Sequence, residues 1–384
     1  MTNTLMLRTA LCTALAVALI GGFRRPLMAH SVSYGLDLNF HDRNIGIRRV
    51  PTALRRIHRT GATVVRVGVG WQTLEPRPGH FRWNLLDRLL QLLHRDHLRI
   101  LLEIGDTPRW DLPRGARRPG GRRWVNYPPR DCRQRAVCPS AATYVTALIR
   151  HIDAVGAGAE LAGIIPINEP QNFAKNWVGG TPAQCAAFQQ TVHDAVHAVN
   201  PHIPVLDGGV EMLPPGLLHI LARYAHPYAR RAWRFAQALY TSRRWCRAID
   251  ILDVHVGDHG PIWSGQIVDA CEQALRRRNG GRTVPVWVTE VGYSYLPAVQ
   301  RAPVLRSELG RGYTHGAASQ VKYLRRTYTA LRGNRYVIGI NWTFLVSPTD
   351  APGPDGAGLG LMNARRHPMP SLAAFTTLVS AHGP

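Results

Sequence analysis

The chain has 384 residues, 45% of them hydrophobic, and carries 47 basic against 24 acidic side chains for a formal charge of +23. That apolar content supports a sizeable core and excludes an intrinsically disordered chain, while the length allows one large domain or two ordinary ones. Lys175 and Lys322 are the only lysines, and the arginines are scattered rather than run together. The charge therefore reads as diffuse surface charge, with attraction to an acidic polysaccharide, a membrane surface or a nucleic acid as the alternative.

Residues 1–29 read as a targeting segment. Thr9 to Phe23 is an apolar run preceded by Arg8, too short for a spanning helix of about 20 apolar residues. Leu27-Met28-Ala29 offers a small-residue cleavage site before His30. Arg24 and Arg25 follow the apolar run, which keeps an uncleaved N-terminal anchor as the second reading. Either way the body, residues 30–384, is expected to be exported, periplasmic or secreted. Cys132 and Cys138 bracket five residues and are candidates for a local disulfide in an oxidising compartment. Cys185, Cys246 and Cys271 leave at least one thiol over. No Cys/His spacing reads as a zinc site, so neither metal nor cofactor is expected.

In chain order, Val32 to Phe40 alternates as a first strand and Pro51 to Thr60 reads as a helix with proline in its first turn. Ala62 to Val69 is a β-branched strand with Arg66 embedded in it. A charge inside a buried strand is costly unless paired, so Arg66 requires a carboxylate partner. Asn84 is a candidate cap for a helix whose apolar stripe is Leu85, Leu89, Leu92 and Leu93. Strand three is Arg99 to Gly105, followed by Asp106-Thr107-Pro108-Arg109-Trp110. Residues 111–139 form an Arg/Gly/Pro-rich insertion that contains the Cys132/Cys138 pair and could wall a cleft.

Ala141 to Val155 is helical. The apolar stretch from Ile164 then ends abruptly in Asn168-Glu169-Pro170, as a strand covered on both faces would end at a functional rim. Helix Pro182–Val199 precedes strand Ile203–Leu206, and residues 214–247 are helical and aromatic-rich. Ile249 to Val256 is a strand carrying Asp253 and His255. A helix from Gln266 to Arg278, closed by Asn279-Gly280-Gly281, leads to strand Val284–Glu290. Ala317–Leu331 is a helix, Tyr336–Phe344 a strand carrying Asn341-Trp342, and Leu372–Val379 the last helix.

Eight strands alternating with helices predict an α/β fold, a (β/α)8 TIM barrel in a single domain with loop insertions. A doubly wound sheet is disfavoured because no glycine-rich phosphate turn follows the first strand. In this register Glu169 ends strand four and Glu290 ends strand seven, 121 positions later. Two carboxylates across a barrel mouth suit glycosidic cleavage, one protonating the leaving oxygen and the other attacking the anomeric carbon. Arg66 would hold Glu290 ionised, and Asn168 would bond the sugar hydroxyl beside the reacting carbon. Trp342 would supply an apolar floor and His255 a hydrogen bond near the nucleophile. Trp110 leans towards a sugar platform, whereas Trp71, Phe81 and Trp83 lean towards packing and Glu75 towards a structural acceptor.

The ordered set resembles the clan A glycoside hydrolases, most closely their family 39-like and family 5-like members. The set comprises Arg66, Leu74-Glu75-Pro76 with Gly79-His80-Phe81-Arg82-Trp83, Thr107-Pro108-Arg109-Trp110, Asn168-Glu169-Pro170, His255, Thr289-Glu290-Val291-Gly292-Tyr293 and Trp342. The Asp355-Gly356…Gly360-Leu361…Pro370 tail is also similar. The resemblance implies Glu169 as general acid/base and Glu290 as nucleophile of a retaining β-glycosidase. Its substrate would be a polysaccharide or oligosaccharide, with an acidic glycan, a bacterial exopolysaccharide or a plant-type β-glycan as options. Neither a specific nucleic acid nor an obligate protein partner is expected. Such members often carry Tyr or His-x-Tyr at the end of strand six, where this chain has His255-Val256-Gly257; Tyr293 is the candidate substitute. The alternative is an exported, non-catalytic carbohydrate-binding or anion-binding protein on the same barrel.

Overall fold

A computed structural model describes residues 31–38, 47–116, 126–132, 137–172, 175–214, 227–257, 261–297, 315–351 and 356–382. The targeting segment, Asn39-Phe40, much of the 111–139 insertion, residues 215–226 and Asp355 lie outside these. Seven parallel strands form one sheet: β1 (Ser33–Asp37), β2 (Val64–Gly68), β3 (Arg99–Glu103), β4 (Leu161–Ile165), β5 (Leu252–His255), β6 (Val286–Val291) and β7 (Val337–Trp342), in the order β4-β3-β2-β1-β7-β6-β5. The expected strand Ile203–Leu206 falls between the two sheet edges and is reduced to single parallel bridges, Val205 to Ile164 and Leu206 to Ile251. Pro204 has no N–H to give a ladder, and Gly208 and Gly209, at φ +82° and +80°, end the extended run at once. Those bridges fill position five between β4 and β5, bringing the count to eight, and the fold is the (β/α)8 barrel. Position seven of the barrel is therefore β6, which carries Glu290.

The core has two compartments. Inside the barrel, Val64, Leu101, Ala162, Ile165, Leu206, Ile251 and Trp287 form an apolar plug, as a small barrel must be filled by side chains. Gly339 makes room for it, because a Cβ there would lie 2.2 Å from the Trp287 ring. The larger cluster lies between the strands and the helices, which present leucine and valine stripes to it.

Helices α1 (Val50–Arg59), α2 (Trp71–Leu74), α3 (Asn84–Arg95) and α4 (Pro139–Ala154) precede β4; the helix after it, α5 (Pro182–Val199), starts where expected because Thr181 and Gln184 form a reciprocal capping box. The helix from Asn84 to Arg95 has no side-chain cap, so Asn84 is its first residue rather than its cap. Cys132 and Cys138 are joined in a disulfide, and Cys185, Cys246 and Cys271 are buried free thiols. Among the described residues no helix is long and apolar enough to cross a membrane.

Candidate active site

Side chains alternate along a strand with period two, so the residue two positions above each plug residue points into the same lumen, nearer the mouth. Above Val64 this gives Arg66, above Leu101 it gives Glu103, and above Ile251 it gives Asp253 and then His255. Asp37 is the direct register partner of Arg66 across β1 and β2. The polar layer of the mouth thus follows from the strand period and the register.

Arg66 is 2% exposed and is the hub of this layer. Its Nη1 donates to Asp37 Oδ2 at 3.0 Å and to Glu290 Oε1. Its Nη2 donates to Asn168 Oδ1 at 2.6 Å and to Glu103 Oε2 at 3.4 Å. The carboxylate that Arg66 required is therefore supplied three times over. Burial opposes the guanidinium's charge, but Glu290, Asp37 and Glu103 outweigh it and hold Arg66 charged. The bond to Asn168 Oδ1 directs the NH2 end of that amide away from the guanidinium.

His255 spans the two glutamates. Its Nδ1 is 2.9 Å from Glu169 Oε1, while its Nε2 is 3.7 Å from Glu290 Oε1 and 3.1 Å from Thr289 Oγ1. The sequence expectation put the hydrogen bond of His255 beside the nucleophile; in the structure that bond goes to Glu169. Burial alone would strip the imidazole of its proton, but Glu290, the bond to Glu169, and Asp253 reverse this and raise its pKa to about 10. Glu290 is pushed up by burial and pulled further down by His255 and Arg66, so the net direction is down and it is held ionised. One carboxylate oxygen of Glu169 lies within 4.8 Å of one of Glu290.

Beneath His255, Thr289 donates to Asp253 Oδ1 at 2.5 Å, and the Asp253 backbone N–H donates to Asp207 Oδ1 at 2.6 Å. Burial raises the pKa of both aspartates, strongly for Asp207.

Glu169 itself sits at φ +40°, a conformation that non-glycine residues rarely adopt. Its N–H donates to Gly208 O at 2.7 Å, and its carbonyl accepts from Asn172 N at 2.8 Å. This strained turn is held by the glycine pair of barrel position five. A Cβ at Gly209 would lie 2.2 Å from His255 Nε2. Gly209→Ala is therefore expected to lose most activity and to destabilise the fold by roughly 1–3 kcal/mol. Gly79→Ala is the control, since Gly79 is also left-handed (φ +71°) but has open space around it. Thermal melts and turnover of the two variants check this; equal behaviour would remove the packing argument.

One expected site residue, Trp342, faces away from the lumen. Trp342 is fully buried, donates Nε1–H to Leu359 O at 2.8 Å and meets Tyr323 edge-on, so it packs the strand against helices and offers no sugar floor. Tyr293 is also fully buried, with its ring stacked 4.7 Å from that of Tyr323. Trp110 is part-buried, donates to Glu75 O at 3.0 Å and meets Trp71 edge-on. Glu75 accepts from Trp71 Nε1 at 2.6 Å and Gly79 N at 2.8 Å, as a structural acceptor does. Phe81 and Trp83 stack on each other, with Trp83 also on His151. Asp37, Glu103, Asp253, Thr289 and the Gly208-Gly209 pair belong to the site without having been assigned to it; the period-two spacing above the plug was their signal.

The (β/α)8 barrel is shared with glycoside hydrolases of known structure. A family model described as beta-galactosidase matches residues 44–116, the segment from before β2 to beyond Trp110. No curated protein sequence matches the chain. Among solved structures, a family 39 glycoside hydrolase from the gut symbiont Bacteroides cellulosilyticus WH2 is 17% identical with TM-score 0.61, covering 92% of this chain and 64% of its own. The chain thus spans less than two thirds of that relative's length. A family 39 β-xylosidase from Caulobacter crescentus is 18% identical with TM-score 0.57, covering 92% of this chain and 71% of its own. A GH5_18 protein from Streptomyces cattleya, in complex with Manβ1-4GlcNAc, is 16% identical with TM-score 0.60, covering 91% and 80% respectively. The chain is similar to both groups that its motifs resemble.

Proposed function

We propose that the chain is a glycoside hydrolase that cleaves β-linked glycans with retention of configuration, using Glu290 as nucleophile and Glu169 as acid/base. The observation that carries this reading is the approach of a Glu169 oxygen to within 4.8 Å of a Glu290 oxygen. Retaining enzymes hold their two carboxyl groups about 5–5.5 Å apart, whereas inverting ones need room for a water, at about 6.5–9.5 Å. Glu290 is kept ionised, as a nucleophile must be, and Glu169 bonds the imidazole of His255, which is held protonated.

In the first step a Glu290 oxygen bonds the anomeric carbon while the glycosidic C–O bond breaks, and the leaving oxygen takes a proton from the Glu169–His255 pair. In the second step Glu169 takes a proton from water, whose oxygen attacks the same carbon and releases Glu290. Asn168, turned by Arg66, is positioned to bond the sugar hydroxyl beside the reacting carbon. The substrate class is a polysaccharide or oligosaccharide, in keeping with the disaccharide bound by the Streptomyces protein. An exported enzyme is the reading that fits the apolar segment before His30 and the Cys132–Cys138 disulfide.

Glu169→Ala tests the assignment. With an aryl glycoside whose leaving group needs no protonation, the variant should accumulate glycosyl-enzyme, and azide should restore turnover with a β-glycosyl azide as product. An inverted azide would make Glu169 the nucleophile and overturn the roles. Oligosaccharide binding with no turnover by the unaltered chain would leave a carbohydrate-binding protein instead.

A further inference from the structure

A second cluster of ligating side chains lies at the other end of the barrel. His193 and His197 are four apart on α5 and therefore share a face; their rings are 4.1 Å apart. Both face Asp250, which immediately precedes Ile251 at the start of the extended segment that ends in His255. His255 is five residues further on, about 16 Å at strand rise, so this cluster is separate from the mouth. The donor atoms of His193, His197 and Asp250 all lie within 4.8 Å of one another.

The spacing has the dimensions of a coordination shell. His193 Nε2 is 3.6 Å from Asp250 Oδ1, and His197 Nε2 is 3.0 Å from Asp250 Oδ2. Ligands about 2.0–2.1 Å from a tetrahedral zinc ion sit roughly 3.3–3.5 Å from each other, so the two separations bracket that edge. His197 Nε2 is buried and makes no hydrogen bond, although the carboxylate is so close.

The surroundings orient the donors as those of a metal site do. His193 Nδ1 is 3.1 Å from Asp194 Oδ1, which fixes that ring with Nε2 directed to Asp250. Carboxylate–histidine pairs of this kind set the tautomer of metal-bound histidines. Asp250 Oδ2 accepts from Val205 N at 2.9 Å, which ties the carboxylate to the backbone that closes the barrel. The three side chains are 18%, 28% and 21% exposed.

We propose that His193, His197 and Asp250 form a binding site for a late first-row divalent cation, with Zn²⁺ the natural probe, that clips α5 to the base of the barrel. Two imidazoles and one carboxylate suit zinc, nickel or copper better than calcium or magnesium, which prefer all-oxygen shells. The sequence expectation of no metal missed the site because its third ligand lies 53 residues beyond His197.

The test is calorimetric titration of the EDTA-stripped full chain with ZnCl₂, paired with the visible spectrum of the Co²⁺ form. One ion per chain is expected at this site, with the d–d bands of tetrahedral Co²⁺. His197→Ala and His193→Ala should each weaken binding by about 100-fold, and Asp194→Asn by roughly 10-fold or more. Both histidines are part-exposed, and circular dichroism would confirm that the variants fold. Glu290→Gln should leave this binding unchanged, because the mouth cluster of Glu169, His255 and Glu290 is, among the described residues, the other group with donors close enough to hold an ion. Failure of the unaltered chain to bind Zn²⁺ would overturn the proposal. So would binding that survives both histidine variants or disappears in Glu290→Gln.

Discussion

Glu290→Gln should abolish hydrolysis of an activated aryl β-glycoside, with kcat falling by roughly 10⁴-fold or more, the scale of removing one member of a covalent catalytic unit. The amide keeps the shape of the side chain but cannot form the glycosyl-enzyme. The fold should survive, since Arg66 retains Asp37, Glu103 and Asn168 as partners. The substitution also has an electrostatic signature. Glu290 is the largest of the influences that raise His255 to a pKa of about 10. Its neutralisation should therefore lower that pKa, readable as an NMR titration midpoint moved to lower pH.

The sign follows from proton linkage. A histidine raised in the folded state contributes stability that is complete below its unfolded pKa, about 6.5, and is lost as pH rises through the folded value. The unaltered protein should lose this contribution gradually up to about pH 10, and Glu290→Gln should lose its smaller share at lower pH. Full glycosidase activity in Glu290→Gln would sink the nucleophile assignment. An unchanged His255 midpoint would instead show that the two side chains do not interact as their 3.7 Å approach implies.

The strand positions and the two glutamates were legible because buried parallel strands are apolar along their length and stop at polar residues. Helix α5 was legible to the residue because its capping box and first-turn proline are local signals. The helix before β6 begins at Pro261, earlier than its apolar pattern from Gln266 suggested, again with proline in the first turn. The fifth strand was misjudged in extent, since a proline and two left-handed glycines leave it only single bridges.

The assignment of Trp342 failed for a different reason. Which face of a strand meets the lumen depends on register, and a one-residue step exchanges the faces. In β7, Gly339 and Asn341 face Trp287 in the lumen, whereas Ile340 and Trp342 belong to the core under the helices. A tryptophan at a strand end therefore gave no information about its side until the pairing was known. Asp37, Glu103 and Asp253 were not assigned to the site for a related reason: each is one acidic residue in a short strand, and only the shared layer above the plug makes them a set.

Arg66→Met should destabilise the protein by about 3–5 kcal/mol, the range for removing one partner of a buried charge network. The substitution removes the cation that neutralises Asp37, Glu103 and Glu290 in one layer. Asp37 is itself 7% exposed and lies opposite position 66 in register, so its charge would be left with little solvent. Chemical denaturation should show a lower midpoint with an unchanged slope, since the surface exposed on unfolding is the same. Activity should fall as well, because Glu290 loses a cation that holds it ionised and Asn168 loses the bond that orients its amide. Arg66→Lys should recover only part of either loss, as one ammonium cannot reproduce the planar fork that reaches four acceptors. Adding Asp37→Asn to Arg66→Met removes one stranded charge, so the double variant should be more stable than the sum of the single effects predicts. A loss below about 1 kcal/mol in Arg66→Met, on the scale of a surface ion pair, would mean that water reaches this layer and that the hub does not organise the mouth.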